Sequence, residues 1–218
     1  MCTTSAKEVE SHLLSFGNRV PNELPMSWHG EIRGVDRQHV KRTIELLDEL
    51  QVSLFGVQSH PLHVALVSDA VAGTIDARVA LEGVSVRGVV LAAPTRYWRL
   101  ALLKHWRVAS ACLRARFRHA GQTRATEPAL PPSSSRTWDH PGDAWRIIFI
   151  GTARAARGQG VARRLYGDIM SKRSLVARVA RDNVASLRLH ESLGWQLYPD
   201  GDVVLAVHES VDATAGRC

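Results

Sequence analysis

Cysteine is scarce in this chain: Cys2, Cys112 and Cys218 are the three among 218 residues. No two stand at metal-ligand spacing, and an odd number does not make the paired framework of a small secreted fold. A reduced, cytoplasmic protein without a disulfide or metal site is expected. Long apolar runs are lacking too. None reaches the roughly 18–20 residues of a membrane span, and the opening MCTTSAKEVESHLLSF has no basic segment followed by an apolar one of signal-peptide length. Acidic residues are missing from 96 to 124, where eight Lys and Arg fall, so that segment is basic throughout.

What is present is a globular composition. Apolar residues make up 45% and charged residues 22%, close to the averages for soluble proteins. The length suits one domain of ordinary size, or a domain carrying an insertion. A net charge of +7 favours contact with something anionic, whether coenzyme, nucleic acid or acidic lipid, without naming a reaction.

Residues 1–28, with PNELPMSW and little periodicity, read as an N-terminal extension, 29–209 as the domain and 210–218 as a tail. HGEIRGV predicts a strand, and Asp36 the N-cap of a helix carrying Val40, Ile44, Leu47 and Leu50 at helical spacing. LHVALVSDAV predicts a second helix ending at Gly73, and TIDARVALEGVSVRGVVLAAP a hairpin turning near Glu82 and Gly83. Residues 95–143 read as an insertion. It comprises a basic amphipathic helix or helix pair, with Leu103, Trp106, Leu113 and Phe117 on one stripe, and a loop rich in Pro, Ser and Thr. WRIIFIGTA then predicts a strand, ARGQGVARRLYGDIMSK a helix, SLVARVAR a strand, NVASLRLHESLG a helix with Gly194 as its C-cap, and WQLYP with DVVLAVHE a last hairpin.

The stretch RAARGQGVARRL, residues 154–165, puts two glycines and four arginines where a strand runs into a helix. A helix N-terminus presents unpaired N–H groups and the positive end of its dipole, and glycine lets an anion approach the backbone. The stretch lacks the Lys-Ser/Thr of a P-loop and the third glycine of the dinucleotide fingerprint, which removes both of those readings. Arg157-x-x-Gly160-x-Ala162 resembles the pyrophosphate-binding motif of the GNAT superfamily of N-acyltransferases. Twenty-three residues after Gly160, Asn183 opens NVASLRLHESLGW. This is similar to the superfamily's other recurrent stretch: an Asn at a helix start, a small residue, an apolar-aromatic pair, and a terminal Gly plus aromatic, here Gly194 and Trp195. The resemblance spans about residues 30–209.

That resemblance implies an α/β (α+β) fold, a mixed but mostly antiparallel sheet with splayed central strands flanked by helices, here with the basic helical insertion added. It implies acetyl-CoA as cosubstrate. The residues it assigns to the coenzyme are Ile150, Gly151 and Thr152 on the strand, Arg157, Gly158, Gln159, Gly160, Val161 and Ala162 at the turn, and Asn183 and Ser186 on the later helix. Asn183 has a second reading as a helix cap. The implied activity is N-acetyl transfer to a primary amine by direct attack in a ternary complex.

The amine must be neutral to attack, and with reference pKa values near 8 for an α-amine and 10.4 for lysine it needs a base or a desolvating site. Similar enzymes often carry a Glu on the strand Trp145–Ile150, which here has no carboxylate, so the candidates are Asp139, His140 and Asp143 before it, or Glu82 in the hairpin. The Tyr that similar enzymes place seven residues after the Asn is His190 in this chain. His190 is read either as the acid that meets the departing thiolate or as packing, with Tyr166 and Tyr198 as backup donors whose hydroxyls are expected at the surface. The expected acceptor is a small-molecule amine or amino acid. Two other readings stay open: an acetyltransferase for protein or aminoacyl-tRNA amines, and a non-catalytic acyl-CoA-binding or interaction module. The basic helix 96–118 is read as a helix packed on the sheet, or as contact for an anionic partner such as a carrier protein or membrane surface. A homodimer is a further open association.

Overall fold

The computed structural model describes residues 28–50, 60–97, 101, 104–106, 110 and 144–210, together with the backbone of 53–54 and 57–58. The elements run β1 (Glu31–Gly34), α1 (Val40–Glu49), β2 (Ser53–Leu54), β3 (Val57–Gln58), α2 (His60–Val71), β4 (Asp76–Glu82), β5 (Ser85–Pro94) and β6 (Trp145–Thr152). A 3-10 turn (Arg154–Ala156) then leads to α3 (Val161–Met170), β7 (Leu175–Ala180), α4 (Val184–Ser192), β8 (Gln196–Asp200) and β9 (Val203–His208).

Seven strands form one sheet in the order β1-β4-β5-β6-β7-β9-β8, and β2 pairs with β3 apart from it. Every neighbouring pair in the large sheet is antiparallel except β6 with β7. Side chains alternate between the two faces along a strand, and the core divides accordingly. On one face Leu46 and Leu47 of α1 and Leu66 and Val67 of α2 pack on Val79, Leu81, Val89 and Leu91. On the other, Val161 and Leu165 of α3 meet Ala80 and Val90. There Tyr166 and Ile169 also join Trp195 and the apolar residues of α4 over Leu175, Ala177 and Val179.

Alternation breaks once on β6. Leu91 pairs with Phe149 and Ala92 with Ile147, which leaves Ile148 as a bulge residue. Ile148 and Phe149 therefore both turn to the α1/α2 face, while Ile147 and Ile150 face α3.

Three local expectations are corrected. Asp36 does not cap α1 directly: its Oδ1 accepts from the N–H groups of Gln38 (2.9 Å) and His39 (3.2 Å), closing a turn before a helix whose N-cap is His39. The helix expected from Ala156 starts at Val161, because Gly158 and Gly160 take φ of 76° and 80° and so interrupt right-handed helix. The apolar stripe of the insertion does not point inward at Trp106, which is 62% exposed. Tyr97 and Ala101 are the buried residues there, with the N–H of His105 bonded to the Ala101 carbonyl at 2.8 Å. Most of 95–143, the N-terminal extension before Trp28 and the end of the C-terminal tail lie outside the described residues. Among the described residues no helix is long and apolar enough to cross a membrane.

Candidate active site

The parallel strands β6 and β7 are paired at Trp145 with Leu175 and at Arg146 with Val176, and no further along. From there they part, so the rest of β6 has one paired edge, toward β5, and one open edge, toward β7. The N–H of Ala153 donates to the carbonyl of Arg87 at 2.8 Å, which makes that couple a hydrogen-bonded pair of the antiparallel ladder. Such pairs alternate with non-bonded ones. It follows that Gly151 is bonded to β5 opposite Val89, whereas Ile150 and Thr152 aim their N–H and C=O groups into the wedge. An extended chain laid there would find strand-like partners.

The wide end of the wedge leads to the glycine turn. Gly160 is the N-cap of α3 and supplies no side-chain cap. The first bond of the helix is from the Arg164 N–H to the Gly160 carbonyl at 3.1 Å, so the amides of Val161, Ala162 and Arg163 have no helical acceptor. A Cβ built at Gly158 meets nothing within 4 Å, which marks open space over its backbone. Gln159 closes the turn from inside, its Nε2 donating to the Ala155 carbonyl at 3.0 Å. The four arginines divide. Arg163 donates to Ser192 Oγ at 2.8 Å, tying α3 to α4, and Arg164 lies over the Trp28 ring. Arg154 and Arg157 are exposed, and their side chains make no hydrogen bond or ion pair among the described residues. Orphan amides, a dipole end and two uncommitted guanidinium groups are chemically suited to an anion.

At the far end of β7 a second helix N-terminus borders the wedge. Asn183 caps α4, its side chain accepting from the Ser186 N–H at 3.1 Å, so the capping role is visible. One turn later the Ser186 carbonyl accepts a hydrogen bond from His190 Nδ1 at 2.7 Å. A carbonyl can only accept, so the proton of the neutral ring is on Nδ1, and Nε2 accepts from the Tyr166 hydroxyl at 2.8 Å. Both residues are buried, His190 at 1% exposure and Tyr166 at 0%. Burial pushes the His190 imidazole below its usual value against the opposing Ser186 bond, and burial pushes the Tyr166 phenol up. Both are neutral near pH 7. His190 also meets the Trp195 ring edge-on at 4.7 Å. Both ring nitrogens of His190 are thus used in packing, and the Tyr166 hydroxyl, expected at the surface, is inside the core. Tyr198 is half-buried and its hydroxyl donates to Gln196.

Of the candidate bases, Asp139, His140 and Asp143 lie outside the described residues. Glu82 is exposed and held by Arg87 Nε at 2.7 Å. It stands at the hairpin tip beyond Gly88, which pairs with Thr152. The hairpin tip and the closed end of the wedge at Arg146 are therefore at opposite ends of β6, and the fold does not bring Glu82 to that closed end. Two residues not singled out in the sequence do stand there: Arg146 on β6 and Arg178 on β7. A lone arginine in a strand carries no signal until the register of its neighbour is known.

Residues 33–195 match the model of the acetyltransferase (GNAT) family. No curated protein sequence matches the chain. Among solved structures, an N-acetyltransferase from Staphylococcus aureus Mu50 superposes with a TM-score of 0.51 at 16% identity, covering 84% of this chain and 98% of that one. Arabidopsis thaliana NAA60 in complex with acetyl-CoA gives 0.52 at 14% identity, covering 83% and 98%. YncA from Salmonella typhimurium, a putative acetyltransferase with its cofactor acetyl-CoA, gives 0.51 at 14%, covering 83% and 92%. At these identities the superpositions speak for the fold.

Proposed function

The chain belongs to the GNAT acetyltransferase family, and from that premise we propose that it moves an acetyl group from acetyl-CoA to a primary amine by direct attack within a ternary complex. The observation that carries this reading is the edge of β6. Ile150 and Thr152 turn their backbone groups into a wedge that opens onto the uncapped amides of Val161 and Ala162. The pantetheine arm pairs with Ile150 and Thr152, and the pyrophosphate sits on the amides from Gly158 to Ala162, with Arg157 and Arg154 adding charge. Asn183 and Ser186 border the same wedge from α4. The thioester then lies toward the closed end of the wedge, and the acceptor reaches it from the α1/α2 face, since α3 and α4 cover the other.

The chemistry needs a neutral amine and a proton for the leaving thiolate. Asp143 and its neighbours Asp139 and His140 are the carboxylate and imidazole candidates just before β6 in the chain, with Glu82 of the hairpin as the alternative. His190 supports the wedge by fixing α4 to α3 through Tyr166. The acceptor is a small amine or amino acid; an amine on a protein or an aminoacyl-tRNA is the second class to try, because of the basic segment at 96–118.

Calorimetric titration with acetyl-CoA tests the coenzyme site. Micromolar binding is expected, and Gly160→Trp is expected to abolish it by filling the turn, with the fold intact by circular dichroism. Unchanged affinity in a folded Gly160→Trp variant overturns the site.

A further inference from the structure

The arginines on and beside the sheet differ in their acidic partners. Arg78 pairs with Asp76 (2.9 Å) and Asp168 (3.2 Å). Arg173 faces Asp76 at 3.5 Å and stacks on the Trp145 ring at 3.6 Å. Arg146, on β6, has its Nε buried without a hydrogen-bond partner, as do Arg78 and Arg173, but unlike them it faces no carboxylate among the described residues. Arg178, on β7, is exposed and likewise has no acidic partner among the described residues.

The register puts these two side by side. Arg146 pairs with Val176 across the last coupled step of β6 and β7, and Arg178 is two residues further along β7, so it shares the face of Val176. That face is opposite α3 and α4, since Trp145, Ile147, Ala177 and Val179 pack under those helices. Ile148 and Phe149 next to Arg146 turn to the α1/α2 side. Two like charges therefore meet at the closed end of the wedge, on the face away from α3 and α4, where Arg178 is exposed. The Arg146 guanidinium is held below its usual value by burial and then by the charge of Arg178, yet an arginine stays protonated at neutral pH. Placing two cations together with one of them partly desolvated is unfavourable unless an anion arrives to share them. Guanidinium groups match carboxylate and phosphate geometry two bonds at a time.

We infer that Arg146 and Arg178 form the acceptor's anion subsite, so that the amine acetylated by this protein carries a carboxylate or phosphate group close to it. The inference rests on the acetyl-transfer reading above and adds the substrate class to it. The anion fixes the amine at the vertex where β6 and β7 part, and neutral amines of the same size lack that hold.

The test pairs each anionic acceptor with a neutral twin: amino acids against their amides, and aminoalkyl phosphates against the amino alcohols. The readout is thiol release from acetyl-CoA. One member of each pair, carboxylate or phosphate, is expected to exceed its twin at least tenfold in kcat/KM, and which series responds identifies the anion. Arg146→Gln and Arg178→Gln should each erase at least tenfold of that preference, mainly through KM, with acetyl-CoA affinity by calorimetry unchanged. Arg178 is exposed, so its variant keeps the fold whatever happens at Arg146. Equal use of charged and neutral twins, or a preference that survives both variants, overturns the subsite. Loss of acetyl-CoA binding by the unmodified protein would instead sink the acetyl-transfer reading. If acetyl-CoA binds and no amine turns over, N-acetylamino acids and N-acetylaminoalkyl phosphates are compared with their neutral counterparts for thermal stabilisation of the CoA complex. Stabilisation by the anions that Arg178→Gln removes supports the subsite, and none refutes it.

Discussion

The hydroxyl of Tyr97 donates to Oδ2 of Asp69 at 2.7 Å, and Lys104 Nζ (2.5 Å) and His105 Nε2 (2.9 Å) close on the same buried carboxylate. One acidic residue of α2 thus anchors the start of a segment that has no acid of its own. Burial pushes the Asp69 carboxyl up, but the bonds from Lys104, Tyr97 and His105 outweigh it and hold the group below its ordinary value. Asp69→Ala strands a buried hydroxyl and is expected to cost about 2–4 kcal/mol in urea unfolding. A loss below about 0.5 kcal/mol, the ordinary scale of a surface substitution, would show that the anchor carries no load. The Asp69 contribution should be complete above about pH 4 and fall away as the pH drops through its depressed value.

His190 predicts the opposite end of the same dependence. Its folded pKa is lowered by burial, so between the unfolded value near 6.5 and that lower folded value the unfolded chain binds the extra proton. Stability is therefore full above about pH 6.5 and declines as the pH falls below it. His208, also lowered by burial, acts in the same direction. Thermal midpoints measured from pH 8 to 5 should show this decline, and His190→Gln should make it shallower. An equally steep decline in that variant would place the proton uptake elsewhere.

Gly158 and Gly194 form a matched pair, with φ of 76° and 78° and nothing within 4 Å of an added Cβ. Alanine at either position meets only the backbone cost of the left-handed region, about 1 kcal/mol, visible as similar shifts in urea midpoint. Gly158→Ala alone should also weaken acetyl-CoA binding, because its methyl enters the anion site. Equal coenzyme affinity in the two variants would count against phosphate contact at Gly158.

Gly88 lets α3 approach the sheet. A Cβ there would lie 2.8 Å from Val161 Cγ1, 3.1 Å from Leu165 Cδ1 and 3.2 Å from the Gly151 carbonyl. Gly88→Val overpacks this contact and is expected to cost about 1–3 kcal/mol. It should also lower acetyl-CoA affinity by pushing the N-terminus of α3 away from β6. Calorimetry on the folded variant checks the second effect, and affinity equal to that of the unmodified protein would disconnect the packing from the site.

Much of this architecture is legible along the chain. Ile147 to Ile150 read as a strand, Gly158 and Gly160 as a turn, and Asn183 as the head of a helix closed by Gly194, because each depends on local backbone chemistry. The start of α3 was less legible, since the same glycines that invite a ligand also delay the helix to Val161. The short pair β2 and β3 gave no periodic signal in two residues per strand. Trp106 fits the helical stripe by spacing yet is exposed, and among the described residues it is Tyr97, Lys104 and His105 that reach the buried Asp69 of α2.

What the sequence determined by itself is therefore the set of short-range features: turn glycines, caps, strand and helix order, and a motif spacing that points to the family. Those follow from steric limits on φ and ψ and from hydrogen bonds within a few residues. The setting of His190, Arg146 and Arg178 was decided by the tertiary structure alone. Whether His190 faces the wedge or the core depends on Tyr166, 24 residues away, and whether Arg146 stands beside Arg178 depends on the register of β6 against β7. Charge and burial at those positions are set by neighbours brought in across the sheet, and no spacing along the chain encodes them.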